Sequence, residues 1–286
     1  MSFLRNSVVV LLLTTLFCSC EDHLPLESQR LRLKKTVESF GGEATLTTEF
    51  NYDANGRQIS QQATPYPANP DYPDFFHFYY NDQSRVSYAT GKLGPSFLLP
   101  VEEPQPNGYR LDYRYDGTGR LERINYAFTF KNVATLRPYR VHYFEYNAMN
   151  QVAKIIQKEI NVIPGQGTDY EKKFTYANGN ITQVDQVIYA VGTKNVTFRN
   201  RFLYTYDNKP NPYYGLSGLN VPLVLMFSRN HYTSYSSQSI GEDGSVGVST
   251  NNSHEVTYNA QGNIASWRGY VGNFGSTKID FEYESY

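Results

Sequence analysis

A unit of about thirty residues recurs along this chain, and a unit of that kind leaves few folds available. Each copy reads aromatic-x-Tyr, then Asp or Asn, then a turn bearing Gly or Asn, then an aliphatic residue. The fullest copy is Tyr113-Arg114-Tyr115-Asp116 followed by Gly119-Arg120-Leu121. Related stretches begin at Phe50, Phe78, Phe144, Phe174, Tyr204, Val256 and Phe281. Their second tyrosines are Tyr52, Tyr80, Tyr115, Tyr146, Tyr176, Tyr206, Tyr258 and Tyr283, spaced 28, 35, 31, 30, 30, 52 and 25 residues apart.

The unit has a mechanical reading. Side chains alternate along a strand, so aromatic-x-Tyr puts two rings on one face. The Asp or Asn that follows can bond the backbone two residues on, and the later Gly or Asn accepts positive φ. The chain then returns through an aliphatic residue, which makes a hairpin. After each turn the apolar residues come three apart, as at Leu121 and Ile124, Val152 and Ile155, Ile181 and Val184, and Ile264 and Trp267. Three is the wrong step for one face of a regular strand, and its recurrence predicts a β-bulge in every unit.

A lone hairpin is not stable in water, so each unit must pair with the next. The expected fold is all-β: a long antiparallel meander of about 14 to 18 strands, curled into a single sheet or an open barrel. Its aromatic face would line the concave side. Arg30–Glu38 and Glu43–Tyr52 form the first predicted hairpin around Gly41-Gly42. Helix is almost absent beyond the leader; Leu219–Phe227 is the one candidate, kept short by Pro222.

The N-terminus carries an address. Arg5 precedes an apolar run from Val8 to Phe17, too short to cross a bilayer and fit for a secretory signal. Leu16-Phe17-Cys18-Ser19-Cys20 resembles a bacterial lipobox, with cleavage after Ser19 and lipidation of Cys20. The expected organisation is a signal peptide over 1–19, a lipidated Cys20 with a polar tether over 20–29, and a repeat domain over 30–286. Both cysteines lie in the leader, so the mature chain has no thiol for nucleophilic, redox or metal chemistry. Anchoring through a lipid makes the membrane the first expected partner and the cell envelope, at the outer membrane, the expected location. Glu21 and Asp22 partly resemble the acidic signals that follow the cysteine in surface-exposed lipoproteins of Bacteroidota.

The unit resembles the YD repeat of Rhs-type proteins, most clearly at Tyr115-Asp116 with Gly119-Arg120-Leu121. Degenerate units behind a lipobox, with an Asn-Pro break at Asn211-Pro212, resemble a family of YD-repeat lipoproteins of Bacteroidota without an assigned function. The likeness covers residues 30–286. Most copies replace the Asp or lose the Gly, and the chain has no toxin domain, so the encapsulating role of Rhs shells does not carry across.

Chemistry is sparse. Net charge is −1 and no basic stripe occurs, which gives no case for nucleic acid. Asp53-Ala54-Asn55-Gly56 would need an acidic ligand at its twelfth position to be a calcium loop, and Thr64 stands there; Ala127 stands at the same place after Asp116. The five histidines, His23, His77, His142, His231 and His254, follow no metal spacing. No catalytic residue, metal or cofactor is expected.

What remains is surface. The rings at Tyr52, Tyr115, Tyr146, Tyr176 and Tyr206 are the candidate binding face: scaffold if buried, a site if exposed in a groove. Three long loops interrupt the repeat, 91–108, 207–220 and 238–253. The first two carry Phe97, Tyr213 and Tyr214 as candidate contacts, unless they fold over an open end of the sheet. The expected function is a non-enzymatic, lipid-anchored envelope protein, a binding or structural module. Glycan, peptide and envelope-protein partners all stay open. The rival is a secreted glycan-active enzyme with paired carboxylates on the concave face.

Overall fold

The computed structural model describes residues 31–40, 44–66, 74–92, 108–130, 133–160, 168–216, 223–270 and 276–286. Cys20 and Phe97 lie outside the described residues. The strands run in chain order as β1 (Leu31–Ser39), β2 (Thr45–Tyr52), β3 (Gln58–Tyr66), β4 (Asp74–Tyr80), β5 (Val86–Lys92) and β6 (Gly108–Tyr115). Next come β7 (Leu121–Phe130), β8 (Val133–Tyr146), β9 (Val152–Glu159), β10 (Thr168–Ala177), β11 (Asn180–Ala190) and β12 (Val196–Pro210). A short α1 (Leu223–Phe227) precedes β13 (Asn230–Ile240), β14 (Val246–Ser253), β15 (Glu255–Tyr258), β16 (Ile264–Tyr270) and β17 (Ser276–Ser285). All seventeen strands belong to one sheet, and every registered pair is antiparallel.

The sheet closes. β1 pairs with β2 along one edge and with β17 along the other, where Arg32 Nε donates to Glu284 Oε1 at 2.7 Å. The last join is made differently. β14 and β15 are one extended run interrupted at His254; the first part pairs back onto β13 and the second forward onto β16. The circuit is therefore an all-antiparallel barrel with a seam where β15 parts from β13. Tyr258 on β15 donates to the Asp207 carboxylate on β12, reaching across that seam.

Each repeat behaves as its residues dictate. Asp116 Oδ1 accepts from the Thr118 and Arg120 amides, Arg120 Nε donates to Asp116 Oδ2, and Gly119 sits at φ 88°. Asp53, Asn81, Asn147 and Asn259 hold their turns by the same pair of amide bonds. The bulge falls at one place in every unit: Ile59, Ser87, Glu122, Ala153, Thr182 and Ala265 are each passed over beside the second tyrosine. That extra residue returns Leu121 and Ile124, or Val152 and Ile155, to one face.

The second tyrosine ties units together. Tyr80, Tyr115, Tyr146, Tyr176, Tyr206 and Tyr283 each donate to the carbonyl that opens the return strand of the hairpin before: Gln58, Val86, Leu121, Val152, Ile181 and Ile264. The turn arginine of one unit then lies over the tyrosine of the next, as Arg57 over Tyr80 at 4.6 Å and Arg120 over Tyr146 at 4.9 Å. A single Tyr146→Phe change removes one such bond and keeps the ring. Its expected cost is about 1 kcal/mol in urea unfolding. No loss of stability would show the hydroxyl to be idle.

The repeat turns at 53–57, 81–85, 116–120, 147–151, 177–180 and 259–263 lie at one end of the barrel, the tight-turn end, where β1 and β17 also have their outer termini, while the Ala190–Asn195 and Gly241–Ser245 turns lie at the other. At the tight-turn end the β12–β13 connection folds into the barrel. Leu225 of α1 and Tyr213 pack with Leu33 of β1 and Phe50 of β2, while Val224 joins the cluster holding Phe174 of β10 and Ile181 of β11. Only a body within the barrel can touch strands so far apart around the circuit. This segment is a plug. Asn211 fastens it, donating to the Leu225 and Ser228 carbonyls and accepting from the Tyr213 amide; Ser228 accepts from the Ile181 amide.

The face against the plug is aromatic and aliphatic, as expected for the concave side, with Phe76, Phe78, Leu111, Ile124, Phe144 and Ile155 all buried. The opposite face is polar. It carries the Lys35–Glu282, Glu145–Lys154, Asp185–Arg201, Arg110–Asp112 and Lys278–Asp280 pairs on widely separated strands.

Two sequence expectations need correcting. Residues 238–253, read as a long loop, form the hairpin of β13 and β14 around Gly241–Ser245, with Gly244 at φ 82°. β14 is exposed along nearly its whole length, so it has no buried alternation to announce a strand. The interruption after Tyr206 also begins later than expected, because β12 runs on to Pro210, a place at a strand end where a missing donor costs nothing.

Candidate lumenal site

The inward positions of β8 to β12 change character at one step. Nearest the tight-turn end they are apolar: Phe144, Ile155, Phe174, Val184 and Phe202. Two residues toward the opposite end, on the same face, stand His142, Gln157, Lys172, Gln186 and Asn200. Register relates them in two steps. His142 is opposite Gln157, and Gln157 is opposite Tyr170; Lys172, Gln186 and Asn200 are successive partners on the neighbouring rung, where Lys172 meets Ile155. The five thus form a polar band that steps by one rung between β9 and β10, with Phe174, Val184 and Phe202 below Lys172, Gln186 and Asn200.

Part of this band is a closed network. Tyr126 Oη lies 3.0 Å from His142 Nδ1, and His142 Nε2 lies 2.8 Å from Gln157 Oε1. Gln157 Nε2 donates to Glu159 Oε1 at 2.9 Å, and Arg140 Nε donates to the same oxygen at 2.7 Å. The amide fixes the tautomer, since Gln157 offers its oxygen to the ring. His142 is thus a donor at Nε2 and an acceptor at Nδ1, a neutral ring. Burial holds its pKa down at about 4.

The other part is open. The Lys172 ammonium lies 4.8 Å over the Tyr170 ring and has no carboxylate partner among the described residues. Burial lowers its pKa. The Gln186 and Asn200 side chains likewise make no hydrogen bond among the described residues. Toward the loop end stand Tyr170, Ile188 and Phe198 on the next rung, and Phe198 is 48 % exposed although it faces inward. Floored by the plug, this part of the lumen is a cup whose wall extends to Phe198.

A second inward cluster sits at the seam. His254 and Trp267 have ring centroids 4.5 Å apart, with Tyr232, Tyr235 and His231 around them. Both His254 nitrogens and Trp267 Nε1 are buried without a hydrogen bond among the described residues. Burial lowers the His231 and His254 pKa values to about 4. Among the described residues no group of three His, Cys, Asp or Glu side chains is placed to hold a metal.

The tyrosines singled out in the sequence are half-buried wall residues. Tyr52 donates to the Leu33 carbonyl, and Tyr115, Tyr146, Tyr176 and Tyr206 to the carbonyls given above. Tyr213 is buried inside the plug against Phe281, at 5.8 Å between rings, whereas Tyr214 beside it is 53 % exposed. His142, Lys172, Gln186 and Asn200 were not anticipated. The signal was present: once the bulge is placed, each stands two residues beyond a buried apolar position.

No known family's sequence model matches this chain, and no curated protein matches it in sequence. Solved structures do match. A porin-like protein from Bacteroides vulgatus is similar with a TM-score of 0.53 and 11% identity, over 89% of this chain and 99% of that one. A porin-like protein from Bacteroides uniformis gives 0.53 and 13%, over 87% and 96%. The likeness is one of fold: a single closed antiparallel sheet. TcdB2-TccC3 without its hypervariable C-terminal region also matches, with a TM-score of 0.26 over 15% of its length, a level that carries no argument.

Proposed function

We propose that this chain is a non-catalytic envelope lipoprotein: a barrel that stands in water beside the membrane, tethered at Cys20, and takes a small ligand into its cup. The polar band above the plug carries this reading, since a barrel filled only for stability has no use for an unpaired inward lysine. The charged outer wall supports the tether rather than a membrane-spanning role. Membrane barrels turn apolar side chains outward, and one Arg or Lys facing mid-bilayer costs about 2–4 kcal/mol. Here ionic pairs ring the outside. The leader also fits. β1 begins at Leu31 at the tight-turn end, so an anchor at Cys20 would aim the mouth of the cup away from the lipid.

The enzyme reading finds less support. A glycoside hydrolase needs two carboxyls facing each other about 5–10 Å apart. Among the described residues the inward carboxylates Glu38 and Glu159 stand on β1 and β9, far apart around the circuit, and Arg140 engages the second. The scaffold role of the tyrosine ring follows from its hydroxyls, each already donated to a neighbouring strand.

Fractionation of cells tests the tether. The intact chain is expected in the membrane pellet and to survive an alkaline wash there, whereas Cys20→Ala should move to the soluble fraction. Should Cys20→Ala stay embedded after the wash, the wall faces lipid and this reading is wrong.

A further inference from the structure

Resting on that reading, we infer that the cup recognises a small anionic polyol, a sugar bearing a carboxylate or phosphate. Three observations converge on two neighbouring rungs. Among the described residues the inward charges of the band are Arg140, Lys172 and Glu159; Arg140 and Glu159 cancel at 2.7 Å, which leaves Lys172 as the uncompensated cation. Next to it, Gln186 and Asn200 present free amides that can both donate and accept, the pattern a ring of hydroxyls requires. One rung nearer the mouth, Tyr170 and the half-exposed Phe198 offer ring surface for the less polar faces of such a ligand.

The alternatives fit less well. A purely apolar ligand would leave the ammonium and two amides unpaired in a dry site. A cation would meet Lys172. A neutral sugar would satisfy the amides and ignore the charge. The satisfied chain of Tyr126, His142, Gln157 and Glu159 forms the fixed back of the site and does not compete for the ligand. Lys172 is expected to be the main determinant, because a bond to a charged group is worth more than a neutral one.

Calorimetric titration of the full repeat domain with glucuronate, glucose 6-phosphate and glucose is the test. Both acidic sugars, or one of them, should bind, and the pair separates a carboxylate preference from a phosphate preference. Glucose should bind at least about tenfold more weakly. Lys172→Gln should remove that margin while leaving the melting temperature equal or higher, since it removes a desolvated charge. Lys173→Gln, on the outward face of the same strand, should change nothing. Equal binding of glucose and the acids, or full acid binding by Lys172→Gln, would overturn the anion assignment and leave a cup that binds neutral ligands. Absence of binding by all three at millimolar concentration overturns the assignment as well, while the fractionation of Cys20→Ala judges the tethered barrel separately.

Discussion

Acidification from pH 7 to pH 4 will strip this barrel of a large share of its stability, ahead of the protonation of the aspartates in its turns. The cause is three inward histidines, His142, His231 and His254, each held neutral with a pKa near 4 against an ordinary 6.5. A base depressed in the folded state binds its proton more readily when unfolded. The full benefit of the neutral form is therefore present above pH 6.5 and drains away as pH falls toward 4. For His142 and His231 the shift corresponds to roughly 3 kcal/mol each. His254 is more open to solvent and contributes less. The aspartates at the turns act later: Asp53, Asp116 and Asp243 are all held below their ordinary 3.8, so their contribution is lost only below about that pH. Urea unfolding at half-unit pH steps separates the two windows. His142→Gln should flatten the upper one in part. A stability curve level between pH 7 and 5 would mean that water reaches these rings.

Replacement of Asn211 by leucine should open the floor of the cup. The side chain is buried, and it serves three backbone groups at once, the Leu225 and Ser228 carbonyls and the Tyr213 amide. Leucine matches its size and bonds none of them. Each buried group left without a partner costs about 1–3 kcal/mol, so a loss of about 3–9 kcal/mol is expected if nothing relaxes. Relaxation has a visible route: the plug withdraws and its apolar side chains meet water. Asn211→Leu should then bind a hydrophobic dye and be cut by protease within 211–229, with the hairpins intact by circular dichroism. Asn211→Asp should be equally harmful, because a carboxylate cannot donate to two carbonyls. Retention of wild-type protease resistance in both variants would show that packing of Leu225 and Tyr213 alone keeps the plug in place.

The wall was legible because its instructions are local. Asp116 and Gly119 specify their own turn, and the step of three from Leu121 to Ile124 specifies the bulge, all within a dozen residues. The short helix was legible too, since Pro222 bars a helix from running through it but is tolerated beside a helix start. Closure was not, because the Arg32–Glu284 contact joins residues 252 apart and no local pattern encodes it. β14 was missed since water reaches both of its faces, which removes the alternation that betrays a strand. The polar band was missed for a related reason. Lys172 and Lys173 look alike in sequence, and only the register to Ile155 and Lys154 shows that one faces the lumen and the other the solvent.

Ring closure has a consequence for how such a chain is made. The first strand to leave the ribosome finds its second partner only when the last one arrives, so for most of synthesis both flanks of the growing ribbon are bare. A product truncated before residue 276 never meets that partner, and its exposed backbone is a template for joining another copy edge to edge. Loss of a few C-terminal residues should therefore be far more harmful than their modest burial implies, and it should show as aggregation rather than as a lowered melting point.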